Sequence, residues 1–498
     1  MKQIEHPLTI FFVGATGDLA KKKILKALYQ LFKEKLLPEK FTLIGNARRE
    51  YSREEFQEFA RHVIQPVSPD EWQTFSKHLE YVSGDISQPE TFTRLLRFHS
   101  DMQSCGNHLW YVATLPTLYL DIIRQLKMTG FHKATCGWTK FLLEKPFGTD
   151  LTTSRSLNQE LLSIFEEDQI YRIDHFLGKE TVQNLLVFRF ANGIFEHLWN
   201  HNFIDHIQIT ASEMFGVNGR EIFYDNTGTI RDVVENHLFQ MMAMTLMEQP
   251  DKLDAQSIRD RRREVLANLV PLEKSSLSQH VALGQYEAGN VNGEEVQGYL
   301  KENNIPADSR TETAVAIKCL MNSDRWRGVP IYLRAGKRLA QNVTEISIQF
   351  KEPKNSMFKG ISSGQKPNVL TLRIGPNEGV VVRLHVKKPG LTLELQDVPM
   401  QFCYQTEFQM DLVEAYVKLI YDAVQGDASL FPQADEIDAA WLYVQPLLDA
   451  VENKQIVPES YVAGSWGPES FAQLLAQDGR TWIEPSVDVC QLPTARKE

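Results

Sequence analysis

Cysteine is scarce in this chain, and its distribution argues against two kinds of site. The chain has 498 residues and five cysteines, at positions 105, 136, 319, 403 and 490. None belongs to a CxxC pair, so the spacing predicts neither a zinc framework nor a disulfide scaffold. Such cysteines are typical of proteins from a reducing compartment, which favours the cytoplasm.

Net positive charge and long apolar runs are absent as well. The formal net charge is -11, which argues against nucleic acid or an anionic membrane as the main partner. The N-terminal apolar run 8–13 is too short for a membrane span, and we find no signal peptide. A hydrophobic content of 43% and a charged content of 23% indicate an ordinary globular protein. The length of 498 residues suggests two or more structural units.

A glycine turn follows the first predicted strand. Residues 8–13 have the apolar pattern of a strand buried on both faces, and GATGDLAKKK (14–23) leads from it into a helix. The spacing is GxxGxxA, formed by Gly14, Gly17 and Ala20. Glycines at such a turn let a pyrophosphate approach the helix N-terminus. A purely structural turn is the alternative.

The second predicted strand, Phe41–Gly45, lacks the acidic residue that usually follows it in NAD-binding folds. Arg48 and Arg49 stand in that place, and the first acid, Glu50, comes after both. A basic pair here suits the 2′-phosphate of NADP. Two solvated arginines ahead of a helix are the alternative.

A strand–helix rhythm extends over residues 1–173. Strands predicted at 108–113 and 141–143 alternate with helical stretches, which indicates a doubly wound parallel sheet of the Rossmann type. EKPFG (144–148) ends the last of these strands. Because ligands bind at the carboxyl ends of parallel strands, Lys145 is expected to face a ligand rather than bulk solvent.

The stretch YRIDHFLGKE (171–180) combines several groups that bind or react. Asp174 and His175 lie at a predicted strand-to-helix junction, where a sheet exposes side chains to ligands. A carboxylate can orient an imidazole, and a histidine with a lysine such as Lys179 can bind a phosphate. A polar surface turn is the alternative.

A helix predicted from about Thr229 to Glu248 carries Asp232 and His237 among apolar residues. Five residues correspond to about 140° around an α-helix, so the two side chains are expected to flank a ligand without touching. A histidine in an apolar helix is otherwise a core residue.

The chain becomes β-rich from Ile331. The alternation of apolar and polar residues predicts an antiparallel sheet, followed by two helices. The predicted strands are 331–333, 343–350, 369–374, 380–386 and 391–395, and the helices are 408–424 and 434–451. The expected fold is therefore α/β plus α+β, with a Rossmann domain at 1–173 and an α+β domain with a large, mostly antiparallel sheet at 174–498.

RIDHFLGKE closely resembles RIDHYLGKE, the substrate-site signature of glucose-6-phosphate dehydrogenases, with Phe176 where the family has Tyr. Further stretches stand in the family's order over nearly the whole chain. They are GATGDLAKKK, EKPFG, RDVVENHLFQ, DSRTET, RWRGVPIYLRAGKRL and YVAGSWGP.

This resemblance implies an oxidoreductase that converts D-glucose 6-phosphate at C1 to 6-phospho-D-glucono-1,5-lactone with NADP. It implies the first step of the oxidative pentose phosphate pathway, a cytoplasmic location, and a homodimer or homotetramer in which the second domain binds substrate and mediates oligomerisation. Because the nicotinamide carries the hard chemistry, no metal is expected.

The resemblance also implies roles for individual residues. His237 would be the catalytic base, a role that suits a group titrating near working pH, with Asp174 as its carboxylate partner. The substrate contacts would be His175, Lys179, Lys145, Glu213, Asp232 and Lys337. The cofactor contacts would be Gly14, Ala15, Thr16, Gly17, Asp18, Leu19, Ala20, Lys21, Arg48, Tyr119 and Lys145.

Two alternatives stand beside this interpretation. A Glu-Lys-Pro turn after a Rossmann strand also resembles the glucose–fructose oxidoreductase group, but that group lacks the RIDH and GVPIYLRAGK stretches. A non-catalytic sensor of NADP and a sugar phosphate is the other. The joint presence of Asp174, His175, Lys179 and His237 argues against it.

Overall fold

A computed structural model describes residues 6–100, 106–134, 136–217, 219–353, 357–358, 366–485 and 490. The chain forms two compact units. The first comprises Met1–Gly178, Pro250–Asp260 and Val413–Asp438, and the second comprises Lys179–Gln249, Arg261–Leu412 and Ala439–Glu498. Two short later segments therefore belong to the same unit as the N-terminal part.

The first unit is built on a parallel six-stranded sheet with the strand order β3-β2-β1-β4-β5-β6. Its strands are β1 Leu8–Val13, β2 Phe41–Ala47, β3 Leu79–Ser83, β4 Asn107–Val112, β5 Thr139–Glu144 and β6 Ile170–Ile173. This is the doubly wound order, so the predicted Rossmann sheet is confirmed. Every residue of β4 and β5 is buried.

The second unit contains a nine-stranded sheet with the order β16-β15-β14-β13-β7-β12-β11-β8-β17. Most neighbours are antiparallel, and the pairs β7–β12 and β8–β17 are parallel. The strands are β7 Ile204–Ser212, β8 Val281–Glu287, β11 Ala314–Cys319, β12 Ile331–Gly336, β13 Val343–Phe350, β14 Val369–Gly375, β15 Gly379–Lys387, β16 Leu395–Cys403 and β17 Glu459–Val462, with β9 Gly289–Val291 and β10 Glu294–Val296 forming a separate pair. The predicted large, mostly antiparallel sheet is confirmed.

The α-helices frame these sheets. In chain order they are α1 Leu25–Lys33, α2 Arg53–Val63, α3 Pro69–Phe75, α4 Pro89–Ser100, α5 Tyr119–Thr129, α6 Leu151–Leu162, α7 Glu180–Phe190, α8 Gly193–Glu196, α9 Glu221–Thr229, α10 Phe239–Leu246, α11 Ala255–Ala267, α12 Leu277–His280, α13 Tyr404–Phe408, α14 Ala415–Gln425, α15 Ala434–Glu452 and α16 Glu469–Ala476. Among the described residues, none of these helices combines the length and hydropathy of a membrane span.

Two predictions at the end of the large sheet are wrong. The strand predicted at 391–395 is instead β16, an exposed edge strand whose sequence lacks the alternation that burial imposes. The helix predicted at 408–424 is two helices, α13 and α14. Gln409 adopts a left-handed conformation that ends α13, and α14 begins only at Ala415.

A π-helix, Ile230–Leu238, lies between α9 and α10. In a π-helix each residue pairs with the residue five positions away. Asp232 and His237, which are five apart, therefore lie on the same side of the helix. The predicted separation of about 140° is wrong, because it assumed α-helical winding.

A disulfide joins Cys403 to Cys490. The prediction from cysteine spacing, which gave no disulfide framework, is wrong at this pair. The two cysteines are 87 residues apart, and the fold brings residue 490 to the end of β16, where both sulfurs pack with Val381. Spacing along the chain does not reveal such a proximity.

Candidate active site

The glycine turn after β1 is fixed by its neighbours in the first unit. Gly14 has φ +89°, and a Cβ at this position would lie 2.1 Å from the carbonyl oxygen of Ala113. The backbone N–H groups of Gly14 and Ala15 donate to the carbonyl of Asn46 at 2.8 and 3.0 Å. Only glycine fits at position 14, because both the conformation and the space exclude a side chain.

A cavity of about 540 Å³ opens at the carboxyl ends of β1, β2 and β4. Gly14, Thr16, Gly17 and Arg48 are among its lining residues. Since a glycine turn, a helix start and an arginine meet there, the cavity fits a dinucleotide with a 2′-phosphate. The structure therefore places the predicted residues 14, 16, 17 and 48 around one cavity.

The other predicted cofactor residues differ in exposure. Ala15 and Ala20 are fully buried, and Leu19 is half-buried. Asp18 and Lys21 are solvent-accessible and form an ion pair of 3.8 Å in the first helical turn.

The arginine loop after β2 is held by a buried tyrosine. The Tyr81 hydroxyl donates to the carbonyls of Arg49 and Ala47 at 2.6 and 3.2 Å. The Asn46 amide donates to the carbonyl of Val82 at 2.9 Å. These bonds fix the backbone on either side of Arg48, whose side chain remains exposed.

Asp174 begins a tight turn at the end of β6. It is 2% exposed, and its Oδ1 accepts from the backbone N–H of Phe176 at 2.9 Å. The ring of His175 is half-buried and stacks parallel to that of Tyr416 with centroids 6.0 Å apart. The turn therefore fixes both groups that the sequence singled out.

Arg172, which precedes this turn, has a structural role. Its side chain is fully buried, donates to both carboxylate oxygens of Glu167 and bonds to Asn158. The Arg172 guanidinium of the RIDH stretch therefore forms its hydrogen bonds within the first unit.

Glu144, the last residue of β5, accepts a hydrogen bond of 2.5 Å from the Tyr111 hydroxyl. Burial raises the pKa of the Glu144 carboxyl to about 7, a rise opposed by the Tyr111 bond and the charge of Lys145. The Tyr119 hydroxyl donates to the Glu144 carbonyl at 2.7 Å. Tyr119 is fully buried, and its assignment as a cofactor contact stays a prediction.

Glu213 and Lys337 lie side by side in the second unit. Each follows one of the parallel strands β7 and β12, whose last residues are paired in register. The Lys337 ammonium donates to the Glu213 carboxylate at 2.5 Å and lies 5.1 Å from the ring centre of Tyr224. Opposite charges held at two adjacent strand ends can together bind sugar hydroxyls.

The second unit also carries the remaining predicted residues. His237, in the π-helix, is 3% exposed, and its backbone N–H donates to the Asn236 side chain at 2.6 Å. Lys179 precedes α7, and its ammonium lies 3.8 Å from the position of a Cβ on Gly375. π-Helical segments occur frequently at functional sites. The π-helix around His237 therefore favours a role for this residue beyond core packing.

Two family models together match almost all of the chain. Glucose-6-phosphate dehydrogenase, NAD binding domain, matches residues 10–184, and glucose-6-phosphate dehydrogenase, C-terminal domain, matches residues 186–483. This chain belongs to the glucose-6-phosphate dehydrogenase family. The alternative assignment to the glucose–fructose oxidoreductase group is therefore wrong.

Curated members of the glucose-6-phosphate dehydrogenase family are similar over full length. Glucose-6-phosphate 1-dehydrogenase of Aggregatibacter actinomycetemcomitans is 42% identical, with 96% of this chain and 97% of the relative covered. The Bacillus subtilis enzyme is 37% identical, with 97% and 99% covered.

Two solved structures have the same fold. A glucose-6-phosphate dehydrogenase in complex with glucose 6-phosphate has a TM-score of 0.87 at 33% identity, covering 97% of this chain and 100% of the other. The Mycobacterium avium enzyme has a TM-score of 0.82 at 32% identity, with the same coverage. The expected family fold is thus confirmed.

Sequence reasoning within this dehydrogenase family missed the connection between Glu144 and Tyr111. Glu144 offered one signal, since it is an acid at the end of the apolar strand FLLE. Tyr111 offered none, because it comes from β4, a different strand of the sheet.

Proposed function

We propose that this chain is an NADP-dependent glucose-6-phosphate 1-dehydrogenase, which oxidises D-glucose 6-phosphate to 6-phospho-D-glucono-1,5-lactone. This is the first step of the oxidative pentose phosphate pathway. The observation that supports the proposal most strongly is full-length similarity to curated dehydrogenases of this name. The residue types of the RIDHFLGKE stretch at 172–180 are consistent with it.

The cofactor would be held at the glycine turn of the first unit. The pyrophosphate fits the turn that begins at Gly14, where a side chain is excluded, and Arg48 suits the 2′-phosphate. The other predicted contacts, Tyr119 and Lys145, belong to the same proposal. When bound, NADP supplies the hydride acceptor for C1.

His237 is the proposed general base for the proton of the C1 hydroxyl. A neutral imidazole can take this proton near neutral pH. Asp174 is its proposed carboxylate partner, which would hold the ring's orientation and stabilise the imidazolium that forms. Burial of both groups supports these roles, since a charge effect is stronger away from water.

Substrate recognition is proposed to divide between phosphate and sugar. His175 and Lys179 would bind the phosphate, because both present N–H donors and positive charge suits a dianion. Lys145, Asp232 and the Glu213–Lys337 ion pair would bind the sugar hydroxyls. These last two residues already hold each other, so their side chains are oriented before substrate arrives.

We propose a homodimer or homotetramer, with the cytoplasm as its location, because the family resemblance implies both. The large sheet supports self-association, because its edge strand β16 is exposed along most of its length and presents Val398 and Met400 to solvent. An exposed apolar edge strand promotes aggregation unless another chain or element covers it. We assign cofactor binding to residues 1–173, and substrate binding and oligomerisation to 174–498.

A turnover assay tests the proposal. The purified chain is mixed with glucose 6-phosphate and NADP or NAD, and formation of the reduced nicotinamide is followed by absorbance. Unphosphorylated glucose is the matched control for phosphate recognition. Reduction that depends on the phosphorylated sugar supports the proposal, whereas binding of both ligands without reduction would favour a sensor.

A further inference from the structure

A buried glutamate contacts the start of the π-helix that carries Asp232 and His237. Glu312 is 3% exposed and lies two residues ahead of β11, in the second unit. Its Oε1 atom accepts a hydrogen bond of 3.0 Å from the backbone N–H of Ile230, the first residue of the π-helix. Its backbone carbonyl accepts two more, each of 3.2 Å, from the N–H and the hydroxyl of Thr229. Glu312 therefore provides acceptors for two successive N–H groups at this helix start.

The start of this π-helix has no cap from its own N-cap residue. The first N–H groups of a helix have no partner within the helix, and a Ser, Thr, Asp or Asn at the N-cap usually supplies an acceptor. Thr229 occupies that position, but its backbone is helical and its side chain does not cap the helix. Its hydroxyl donates to the Glu312 carbonyl instead. A capping acceptor for Ile230 comes from a residue 82 positions later in the chain.

Gly228 leaves space for the Glu312 carboxyl beside the helix start. Gly228 has φ +68°, a non-helical conformation at the junction between α9 and the π-helix. A Cβ at this position would lie 2.3 Å from Oε1 of Glu312. A side chain at position 228 would therefore displace the carboxyl from the Ile230 N–H, in addition to straining the backbone.

The residue after Glu312 holds another part of the proposed sugar site. The backbone carbonyl of Thr313 accepts from the Lys337 N–H at 2.9 Å. The Tyr461 hydroxyl lies 3.1 Å from the Thr313 hydroxyl and donates to the Lys337 carbonyl at 2.5 Å. The segment 312–313 therefore fixes both the backbone of Lys337 and the start of the π-helix.

We propose that Glu312 is a positioning residue, which fixes the π-helix and with it the placement of His237 and Asp232 towards the sugar. The inference rests on the proposed function, which makes His237 the base and Asp232 a substrate contact. A general base must lie within hydrogen-bond reach of the proton that it takes. A misplacement of about 1 Å can lower the rate on the order of 10²-fold. Loss of the bond to Ile230 should therefore lower kcat.

Two conservative substitutions separate the hydrogen bond from the charge of Glu312. Glu312→Gln removes the charge but keeps an oxygen that can accept from Ile230, whereas Glu312→Asp keeps the charge but withdraws the carboxyl by about 1.5 Å, one carbon–carbon bond. With glucose 6-phosphate and NADP, we expect kcat of Glu312→Gln to stay within about threefold of the wild type and kcat of Glu312→Asp to fall roughly ten- to a hundredfold. The KM for NADP should stay within about twofold in both variants, because cofactor binding is assigned to the first unit.

Glu345→Gln is the matched control for a loss of stability. Glu345 is also 3% exposed in the second unit, but its carboxylate accepts from Arg373. Its replacement should lower Tm while kcat stays within about twofold of the wild type, since removing one partner of a buried ion pair is destabilising. A comparable loss of kcat in Glu345→Gln would assign the effect to general destabilisation and overturn the inference. Equal kcat in Glu312→Gln and Glu312→Asp, or a lower kcat in Glu312→Gln, would overturn it as well.

Gly228→Ala serves if Glu312→Asp does not fold. Its methyl group would occupy the position of the Glu312 carboxyl oxygen, so kcat should fall by a similar factor with the KM for NADP kept. Wild-type kcat in Gly228→Ala would overturn the inference.

A second measurement separates this inference from the proposed function. A wild type without turnover would overturn the proposed function. Amide hydrogen exchange of the segment 229–238, followed by mass spectrometry, then tests whether Glu312 holds the helix start. We expect faster exchange in Glu312→Asp than in the wild type and Glu312→Gln. Equal exchange in all three proteins would overturn the inference.

Discussion

Replacing Glu144 with Gln should change how stability depends on pH, whatever the substrate is. The carboxyl is buried, and burial raises its pKa from 4.5 to about 7. The unfolded chain therefore releases this proton near pH 4.5, whereas the folded protein holds it until about pH 7. Because the folded state binds more protons in this window, stability falls as pH rises through it and stays lower above it.

The size of the effect follows from the same shift. A pKa raised from 4.5 to about 7 corresponds to about 3 kcal/mol between the ends of the window. For a folding unit of roughly 150–250 residues, 1 kcal/mol moves Tm by about 2–4 °C. About 2.5 kcal/mol of this change falls between pH 5 and pH 8. We therefore expect Glu144→Gln, which cannot ionise but can still accept from Tyr111, to gain roughly 5–10 °C relative to the wild type over that range.

Scanning calorimetry of both proteins at pH 5, 6, 7 and 8 measures this gain. Glu39→Gln is the control, since Glu39 is exposed and its replacement should shift Tm equally at every pH. A difference between Glu144→Gln and the wild type that is constant across the range would refute the reasoning. The carboxyl would then titrate near its ordinary value despite its burial.

Three substitutions test the ligand contacts. Arg48→Ala should weaken NADP binding by about 1.5–3 kcal/mol, the usual contribution of a charge-assisted hydrogen bond, and leave NAD binding nearly unchanged. Equal losses of NADP and NAD affinity, measured by titration, would indicate a structural role. Phe176→Tyr should lower KM for glucose 6-phosphate several-fold with kcat within about twofold, because a phosphate contact is similar in ground and transition states. An unchanged KM, or the same gain with unphosphorylated glucose, would show that residue 176 does not face the phosphate. Gly14→Ala should reduce NADP affinity at least about tenfold, because its Cβ would displace the Ala113 carbonyl and the turn; full affinity in calorimetry would contradict this.

Features with a strong local signal were predictable from the sequence. β1 was predicted within its observed bounds because a continuous apolar run that stops at Gly14 is typical of a buried strand ending in a turn. The N-caps Ser52 and Ser68 form the capping boxes that the sequence pattern Ser-x-x-Glu indicates. Local patterns also pointed to Arg48, Lys145 and the 174–179 stretch, whereas Glu213, Lys337 and Tyr119 came only from the family resemblance.

Features set by distant parts of the chain were not predictable. β16 is exposed and contains Pro399, which an edge strand tolerates, so neither burial nor propensity marks it. The π-helical winding at 230–238 depends on tertiary packing, because the same residues also fit an α-helix. The disulfide and the bond from Tyr111 to Glu144 likewise join residues that are far apart in the sequence.

The proposed role of His237 as general base is tested most directly by following NADPH formation from glucose 6-phosphate with the wild type and with His237→Asn. We expect the wild type to turn over and the variant to lose roughly 10²–10⁴-fold in kcat, the usual worth of a positioned base, with KM largely kept. Near-normal turnover by a folded His237→Asn variant would contradict the account and make His237 a buried core residue.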